Sequence, residues 1–263
     1  MKMKKLGAIA ASVACLGALA LAGCSSSNFN ADGVLNDGKL TVVTSAEYEP
    51  FEYMENKEYK GFDIDFARAL ADKLGLELQI ENTDFDAIVT GVASGTKYDM
   101  GIAAITATPE REKEVDFTDS YYMDDQAIVT KKGNTAVTAD NYSDELNKPE
   151  ATLIVQSGST AEAFAKENFP NATIKPYKNA TDCFAALDSD QGTAVITNRS
   201  VAAQMVAGQF SGQQVIKQIS TGEEYAIAVS KDNPVLKEKL NDAIKELTDD
   251  GTVDSLMSKY NIK

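Results

Sequence analysis

The chain alternates short apolar runs with segments of helical periodicity, and this alternation limits the folds it can adopt. LTVVTS (40–45), LELQI (76–80) and YDMGIAAI (98–105) have the character of buried strands. Helical patterns occupy the intervening segments, 61–75 and 84–95. The resulting β-α-β-α-β order predicts a parallel sheet with right-handed crossover connections.

The same alternation starts again after a predicted strand at 126–132 and a polar stretch at 133–150. The second set has predicted strands at 151–156, 173–177 and 193–197, and predicted helices at 159–169, 181–187 and 198–208. A further strand is predicted at 224–230, and two helices separated by Gly251 end the chain. Two such sets predict an α/β protein with two similar lobes.

The first residues have the pattern of an export signal. Lysines precede an apolar run at 6–22 that is short for a membrane span. The tetrapeptide Leu21-Ala22-Gly23-Cys24 resembles the lipobox of bacterial lipoproteins, which implies cleavage before Cys24 and lipidation of that cysteine. We therefore expect residues 1–23 to be a lipoprotein signal peptide and 24–38 to be the lipidated cysteine and a tether. The alternative is an ordinary secretory signal with an incidental cysteine.

Composition excludes several classes of function. The chain has 25 basic and 40 acidic residues, and removal of a lysine-containing signal would make its net charge more negative than −15. We expect no nucleic-acid partner, because phosphate binding needs a basic surface. The absence of histidine from the sequence removes Ser–His and Cys–His catalysis and histidine zinc sites. Cys183 lies in an apolar helical pattern and is expected to be a core residue.

A cation follows one of the predicted strand ends, where ligands of open parallel sheets bind. In TATPERE (106–112), a threonine and a proline predict the start of a helix, which would place Arg111 unfavourably at the positive end of its dipole. The guanidinium, the Thr106 hydroxyl and free first-turn N–H groups would together make a carboxylate receptor. The alternative is a solvated arginine paired with Glu112 or Asp116.

Two other loops at strand ends contain candidate ligand contacts. Tyr48 lies next to a proline, where its ring could pack beneath a loop or form the wall of a cleft. In QSGST, Gly158 permits close backbone approach, and Ser159 with Glu162 fits a capping box whose helix start would offer N–H groups to an anion.

Seven sequence blocks occur in an order that resembles one known family. They are EYEPFEY, GFDIDFARALADKLG, DFDAI, ITATPEREKEVDFTDSYY, QSGST, EYAIAVSK and LTDDGTVDSLMSKY. They resemble the family 3 extracellular solute-binding proteins, the receptors of polar amino-acid ABC importers. The resemblance implies a type II periplasmic-binding-protein fold, in which two mainly parallel sheets flanked by helices are joined by strands near 126–130 and 219–225. We interpret Asp63 and Asp65 as capping, solvent-facing residues.

The resemblance also implies the lobe boundaries and the site. Lobe 1 would comprise 39–127 with 225–263, and lobe 2 would comprise 128–224. Arg111 matches the arginine that binds an amino acid's α-carboxylate, and Ser159 belongs to the QSGST loop that reaches the ligand. Thr106 and Thr160 match further partners of that carboxylate. Ala104 and Gly158 match positions whose backbone contacts the ligand's main-chain atoms. Tyr48 and Phe85 match aromatic residues that cover its side chain.

One position departs from the family pattern. The family usually places an aspartate after a strand of the second lobe to bind the α-ammonium, and Asn198 occupies that position here. Asn198 is uncharged and could equally cap the following helix. Glu223 or Glu224 could supply the missing charge, or the ligand could lack a free ammonium. Ser45, at a position often acidic in binders of cationic side chains, favours a neutral or acidic polar amino acid.

These expectations describe an extracytoplasmic receptor that closes on a small amino acid and delivers it to the permease of an ABC importer. A lipid at Cys24 would hold it at the cell membrane, and we expect a monomer because both lobes must face the permease. No cofactor, metal or catalytic residue is expected. The alternatives are a receptor for another small carboxylate, a sensory solute-binding protein, or a dehydratase-like enzyme.

Overall fold

Thirteen strands and eight helices form the part of the chain that the computed structural model describes, residues 28–262. The strands are β1 (Lys39–Thr44), β2 (Glu47–Tyr48), β3 (Glu52–Glu55), β4 (Glu58–Lys60), β5 (Glu77–Asn82), β6 (Met100–Gly101), β7 (Val115–Phe117), β8 (Tyr122–Lys131), β9 (Thr152–Gln156), β10 (Thr173–Tyr177), β11 (Ala194–Asn198), β12 (Gln213–Tyr225) and β13 (Ala228–Ser230). The helices are α1 (Phe62–Leu74), α2 (Ile88–Ala93), α3 (Tyr142–Leu146), α4 (Thr160–Asn168), α5 (Ala180–Asp188), α6 (Arg199–Ala207), α7 (Pro234–Asp249) and α8 (Thr252–Lys259). None of these helices is long and apolar enough to cross a membrane.

The first five-stranded sheet has the order β5-β1-β6-β13-β7. β1 pairs in parallel with β5 and β6, whereas β13 pairs antiparallel with β6 and β7. Four of the five strands therefore run in one direction, as predicted. The strand predicted at 98–105 is shorter than expected, because the chain leaves the ladder after β6 and turns at Ala104, whose φ is 47°. We call this sheet and its helices the first lobe.

The second five-stranded sheet has the order β10-β9-β11-β8-β12. β9 pairs in parallel with β10 and β11, and β8 pairs antiparallel with β11 and β12. Here, too, four strands run in one direction and one is reversed. This sheet, with α3 to α6, is the second lobe. A small antiparallel sheet of β2, β3 and β4 lies beside the first lobe.

The helices form where apolar residues recur at the spacing of one helical face. In α7, the buried residues are Leu236, Leu240, Ala243, Ile244 and Leu247. α7 begins with a proline at the first helical position, and the Asn233 side chain caps it by accepting a hydrogen bond from the backbone N–H of Leu236. α1 ends at Gly75, whose left-handed φ of 68° closes the helix. These features confirm the predicted helices.

Residues 28–38, which belong to the predicted tether, lie against the first lobe. Val34 is completely buried in the main apolar core. The Leu35 N–H donates to Asp99 Oδ1 at 2.7 Å, and Asp99 Oδ2 accepts a second hydrogen bond from the Thr41 N–H. This part of the predicted tether is therefore docked on the fold. The predicted signal peptide and Cys24 lie outside the described residues.

Cys183 is a core residue, as predicted. Its side chain lies on the buried face of α5 and forms no disulfide. Burial raises the pKa of its thiol to about 12, so the reactive thiolate is scarce near neutral pH.

Asp63 differs from its predicted role, because it is fully buried rather than solvent-facing. Asp63 Oδ2 accepts hydrogen bonds from the Ala104 N–H at 2.7 Å and from the Tyr121 hydroxyl at 2.9 Å. The Glu52 carboxyl lies beside it, and within the described chain no hydroxyl, amide or cation donates to Glu52 or to Asp63 Oδ1. Burial raises the pKa of Glu52 well above its usual range, and the negative charge of Asp63 adds to this effect. Burial thus favours the protonated form of Glu52, whose O–H can donate to the Asp63 carboxylate.

The contribution of the Glu52–Asp63 pair to the stability of the fold is predicted to decrease as pH rises. Burial raises the pKa of Asp63 to about 6, and the Glu52 pKa is also raised, so the folded chain keeps a proton that the unfolded chain releases near pH 4. Unfolding is therefore favoured above that pH, by up to about 1.4 kcal/mol per pH unit for one proton. In Glu52→Gln an amide replaces the protonated carboxyl, so its stability relative to the unmodified protein should increase from pH 4.5 towards 7.5.

Urea unfolding at several pH values measures this difference. Glu58→Gln, which removes an exposed carboxylate on the neighbouring strand β4, is the control and should show no such trend. Parallel pH profiles for Glu52→Gln and the unmodified protein would show that Glu52 is ionised in the fold.

Candidate functional site

Strand ends from both lobes surround a narrow cavity of about 10 Å³. Its lining residues are Tyr48, Phe85, Ala104, Thr106, Arg111, Gln156, Ser159, Thr160 and Asn198. Eight of the nine residues that the sequence analysis selected are in this set. The ninth, Gly158, contacts Arg111 from outside the cavity lining, and Gln156 is an addition. Gln156 is the last residue of β9, so the rule that ligands bind beyond strand ends would have found it.

Arg111 does not begin an α-helix, contrary to the sequence-based prediction. It starts a single 3-10 turn, Arg111–Lys113, and its N–H donates to the Thr108 hydroxyl at 3.3 Å. The turn ends after three residues because Val115 and Phe117 must extend into β7, where their side chains are buried. No α-helix dipole therefore opposes the charge of Arg111. The Thr108 hydroxyl still accepts from the Arg111 N–H, as a helix cap would.

The Arg111 guanidinium is held by neutral groups from both lobes. Nη1 donates to the Thr106 carbonyl oxygen at 2.7 Å, and Nη2 donates to the Gly158 carbonyl oxygen at 3.0 Å. The guanidinium carbon lies 5.3 Å from the centre of the Phe85 ring. Burial lowers the pKa of Arg111 from its ordinary value, and the negative charge of Glu223 acts in the opposite direction. Arginine nevertheless remains charged.

Arg111 is not the solvated surface arginine that its local sequence allows. It forms no ion pair with any carboxylate between residues 28 and 262. Asp116, one of its possible partners, pairs with Lys231 at 3.0 Å and with Lys237 at 3.6 Å. The guanidinium therefore has N–H groups available for an anion in the cavity.

The first turn of α4 adds further donors. Ser159 is the N-cap, and its hydroxyl accepts from the Glu162 N–H at 3.1 Å while donating to the Gln156 carbonyl oxygen at 2.7 Å. The Glu162 carboxylate completes a variant capping box by accepting from the Gly158 N–H. The Ser159 hydroxyl is thus used within the loop, whereas among the described groups no acceptor bonds the N–H groups of Thr160 and Ala161.

Asn198 occupies the N-cap position of α6, but its side chain does not cap that helix. Its Oδ1 accepts from the Tyr48 hydroxyl at 2.6 Å, and its Nδ2 donates to Glu223 Oε2 at 3.1 Å. Burial raises the pKa of Tyr48, so its hydroxyl remains a donor. Tyr48 and Asn198 both line the cavity, and the Asn198 side chain is not used as a helix cap.

Glu223 accepts several of the hydrogen bonds at the cavity. Its Oε2 accepts from the hydroxyls of Thr106 and Thr160, both at 2.7 Å, and from Asn198 Nδ2. Its Oε1 accepts from Gln126 Nε2 at 2.5 Å. From sequence alone, Glu223 was one of two acidic residues that could compensate for Asn198.

A bulge in β12 directs the Glu223 side chain inward. Opposite Gln126 and Asp124 of β8, the register of β12 shifts between Ile219 and Glu223. Gly222 takes a positive φ of 62° in this bulge, and Asp125 Oδ1 accepts from its N–H at 3.1 Å. The glycine before Glu223 was the sequence signal that could have indicated this break.

Ala104 lines the cavity in a backbone conformation that L-residues rarely adopt. Its φ is 47°, and its N–H is fixed by the buried Asp63. Asp63 is thus a support for the cavity wall, a role the sequence analysis did not assign. Asp65 accepts hydrogen bonds from Lys259 and Tyr260 of the C-terminal segment and does not line the cavity.

The two lobes touch around the cavity. Asp86 Oδ2 accepts from the Ser157 hydroxyl at 2.9 Å, and Lys178 forms an ion pair with Asp84. Gly158 lies directly against Asp86: a Cβ on Gly158 would lie 2.8 Å from the Asp86 Cβ. A side chain at position 158 therefore obstructs the contact between the lobes.

No cluster of three or more cysteine or carboxylate side chains that could hold a metal ion occurs between residues 28 and 262. The chemistry that the cavity offers is therefore that of hydrogen bonding and of two opposite charges, Arg111 and Glu223.

Comparison with known proteins places this geometry in context. The family model for bacterial extracellular solute-binding proteins, family 3, matches residues 40–263. The arginine-binding extracellular protein ArtP of Bacillus subtilis (strain 168) is 34% identical over 245 residues, which cover 92% of each chain. The ABC transporter glutamine-binding protein GlnH of the same strain is 29% identical over 286 residues, which cover 98% of this chain and 97% of GlnH.

A solved structure shares the architecture. The crystal structure of AncCDT-1, an ancestral amino acid-binding protein and precursor of cyclohexadienyl dehydratase, has a TM-score of 0.78 and 35% sequence identity. The match covers 85% of this chain and 95% of AncCDT-1.

The Gly158–Asp86 contact predicts a conformational effect of Gly158→Ala. The positive φ of 72° at Gly158 costs alanine about 1–2 kcal/mol wherever the lobes lie, and the clash with Asp86 acts only when they touch. We expect Gly158→Ala to increase the radius of gyration measured by small-angle X-ray scattering.

Gly133→Ala is the matched control, because Gly133 has a φ of 81° and open space around its Cβ position. Both variants should lose similar stability in urea unfolding, and Gly133→Ala should keep the original radius. Equal radii for the two variants would show that the Gly158 contact does not hold the lobes together.

Proposed function

The chain belongs to the bacterial extracellular solute-binding proteins, family 3, and on this basis we propose that it is an extracytoplasmic receptor for a free amino acid. The predicted family and the predicted two-lobe α/β fold are confirmed. The observation that carries the amino-acid proposal is the Arg111 guanidinium, which is half-buried between the lobes and donates to the carbonyl oxygens of Thr106 and Gly158.

A carboxylate is the group that complements this arrangement. Arg111 has N–H donors remaining, and the free N–H groups of Thr160 and Ala161 lie at the N-terminal end of α4, where an anion is stabilised. A carboxylate between them would receive charge-assisted hydrogen bonds from both lobes. In this proposal Thr106 is a further partner, and Ser159 contributes by positioning the loop.

The remaining residues of the cavity would hold the rest of the amino acid. Ala104 and Gly158 would offer backbone groups to the ligand's main-chain atoms, as the family resemblance implies. Tyr48 and Phe85 would cover its side chain, since each ring borders the cavity. Gln156 borders the same cavity, with its Nε2 donating to the Lys178 carbonyl oxygen.

The polarity of the cavity favours a ligand with an uncharged polar side chain. None of the nine lining residues is acidic, and Ser45 is buried with its carbonyl oxygen accepting from the Glu47 N–H. A cationic side chain would therefore find no anionic partner among the lining residues, and the one carboxylate bonded to them, Glu223, is held by Thr106 and Thr160. The relatives ArtP and GlnH bind arginine and glutamine respectively, and the lining here fits glutamine-like chemistry better.

Binding would proceed by hinge closure between lobe 1 (39–127 with 225–263) and lobe 2 (128–224). The crossing strands, near 126–130 and 219–225, lie in β8 and β12, which pair with each other. Closure would form the contacts of Asp86 with Ser157 and of Tyr48 with Asn198. It would also exclude water, which strengthens each polar contact in the cavity.

The closed receptor would deliver its amino acid to the permease of an ABC importer, acting as a monomer with both lobes exposed to that permease. A lipid on Cys24 would keep it at the membrane, because one lipidated cysteine with more than one acyl chain gives stable anchoring. Its relatives ArtP and GlnH are binding proteins, and we propose binding without turnover.

A second candidate function follows from Asn198. Because its amide carries no charge, a small carboxylate without an ammonium group would also fit that position. A sensory receptor would use the same closure, with a different membrane partner.

Arg111→Ala tests the proposed function. Thermal-shift measurements with the twenty L-amino acids should show that one or a few raise the melting temperature of the unmodified protein. In Arg111→Ala these shifts should disappear, with affinity reduced by about 30-fold or more, because a buried charge-assisted contact is lost.

Arg68→Ala is the control, since Arg68 is an exposed arginine on α1, and it should bind as the unmodified protein does. Shifts with small dicarboxylates but with none of the amino acids would contradict the amino-acid proposal. Affinity preserved within a few-fold in Arg111→Ala would contradict the role of Arg111.

Cys24→Ser tests the lipid anchor. The variant should move from the membrane fraction to the soluble fraction and lose incorporation of labelled fatty acid. Cys183→Ala, which changes a core cysteine, should remain in the membrane fraction. Membrane retention of Cys24→Ser would contradict the proposed lipidation.

A further inference from the structure

We propose that Glu223 determines ligand specificity by supplying the negative charge that binds the α-ammonium, in place of the uncharged Asn198. This inference rests on the proposed function, since it concerns the other end of the amino acid held by Arg111. It requires the ligand to have a free ammonium and excludes N-acylated and desamino analogues.

The first observation is that Glu223 is a buried charge without a cationic partner. Only 7% of the residue is exposed, and no lysine or arginine of the described chain lies within ion-pair distance of its carboxylate. Its hydrogen bonds come from hydroxyl and amide groups of Thr106, Thr160, Thr221, Asn198 and Gln126. Buried charges in proteins are ordinarily paired, so a cation at this carboxylate would complete the arrangement.

The neighbouring acidic residues do not meet the same conditions. Asp124 is buried, but it pairs with Arg199 at 3.2 Å and accepts from the Ser200 N–H. Glu224 follows Glu223 directly and is exposed on the other side of the strand. Glu223 alone among these three combines burial, a free charge and contact with the cavity wall.

The groups around Glu223 suit an ammonium. An ammonium donates three hydrogen bonds and accepts none. Glu223 would accept one of these hydrogen bonds. Asn198 would then position the carboxylate through its Nδ2, which lies 3.1 Å from Oε2.

Arg111 and Glu223 form no ion pair with each other, and their opposite charges give the cavity a positive and a negative end. A zwitterion can place its carboxylate at Arg111 and its ammonium at Glu223, so that both buried charges are compensated. A molecule with a carboxylate and no ammonium would leave Glu223 uncompensated. A second carboxylate at that end would meet a like charge.

The same contacts would also allow Glu223 to oppose ligand binding, and the experiment has to distinguish this role from ammonium binding. Glu223 accepts from Thr106 and Thr160, the two residues that the family resemblance assigns to the ligand carboxylate. The Glu223 carboxylate could therefore act as an internal competitor that a ligand has to displace. Loss of its charge would weaken binding in the first role and strengthen it in the second.

Glu223→Gln is the primary variant, and Glu224→Gln is its matched control, with the same chemical change one residue away. Each is tested by thermal shift and calorimetry with the twenty L-amino acids and their N-acetyl derivatives. We expect Glu223→Gln to lose about 30-fold or more in affinity for amino acids, because one partner of a buried charge pair is removed. Glu224→Gln should change affinity by less than about twofold.

Relocating the charge provides a second, independent measurement. Asn198→Asp alone should not improve binding, because its new carboxylate lies about 3 Å from Glu223 and the two charges repel. Asn198→Asp combined with Glu223→Gln should recover at least about tenfold of the lost affinity, since one negative charge again faces the ammonium. Ligand-free melting temperatures of all variants verify that they fold.

The outcomes are distinct. If no amino acid binds the unmodified protein, the proposed function fails, and this inference fails with it. If amino acids bind the unmodified protein and Glu223→Gln equally, the function stands and the role of Glu223 is wrong. Tighter binding by Glu223→Gln would make Glu223 an internal competitor, and equal binding of N-acetyl derivatives would show that no ammonium is recognised.

Discussion

The antiparallel pairing of β8 with β12 is the constraint on which the rest of the structure depends. The two strands pair from Lys131 and Gln213 at one end to Tyr122 and Tyr225 at the other, and they belong to the second sheet. At the far end, Tyr225 forms a bridge with Thr106 of the first lobe. The same ladder therefore connects the lobes and brings the bulge beside the cavity.

The cavity shows how buried charge is tolerated when polar groups surround it. Arg111 is held by two carbonyl oxygens and Glu223 by hydroxyl and amide donors. Desolvation of each charge opposes folding, and neutral hydrogen bonds offset only part of it. The fold thus keeps two unpaired opposite charges at one site, where a dipolar solute can complete both. The Glu52–Asp63 pair solves the same problem differently, by retaining a proton.

Hydrophobic periodicity predicted most helices and strands. It could not predict features that depend on tertiary contacts, such as where a turn ends or which side chain faces the cavity. α7 was readable because one apolar face repeats through its length. The α-helix predicted at TATPERE is wrong, because the chain becomes extended in β7 directly after the turn. No local sequence pattern indicates this. Glu223 and Glu224 were indistinguishable in sequence, since a bulge reverses the expected alternation of faces. Asp63 looked exposed at a helix start until its long-range contact with Ala104 was known.

The docking of residues 28–38 has a mechanical consequence. The segment is held to the first lobe through Asp99 and through Gly33, whose carbonyl oxygen accepts from Asn233 Nδ2. With the anchor proposed at Cys24, attachment to the membrane therefore restrains the first lobe directly. The strands that cross between the lobes are not under tension from the anchor. The second lobe is the part that swings. During each cycle of ligand binding and release, the second lobe would then rotate relative to the first, and the first lobe would keep a constant orientation towards the membrane.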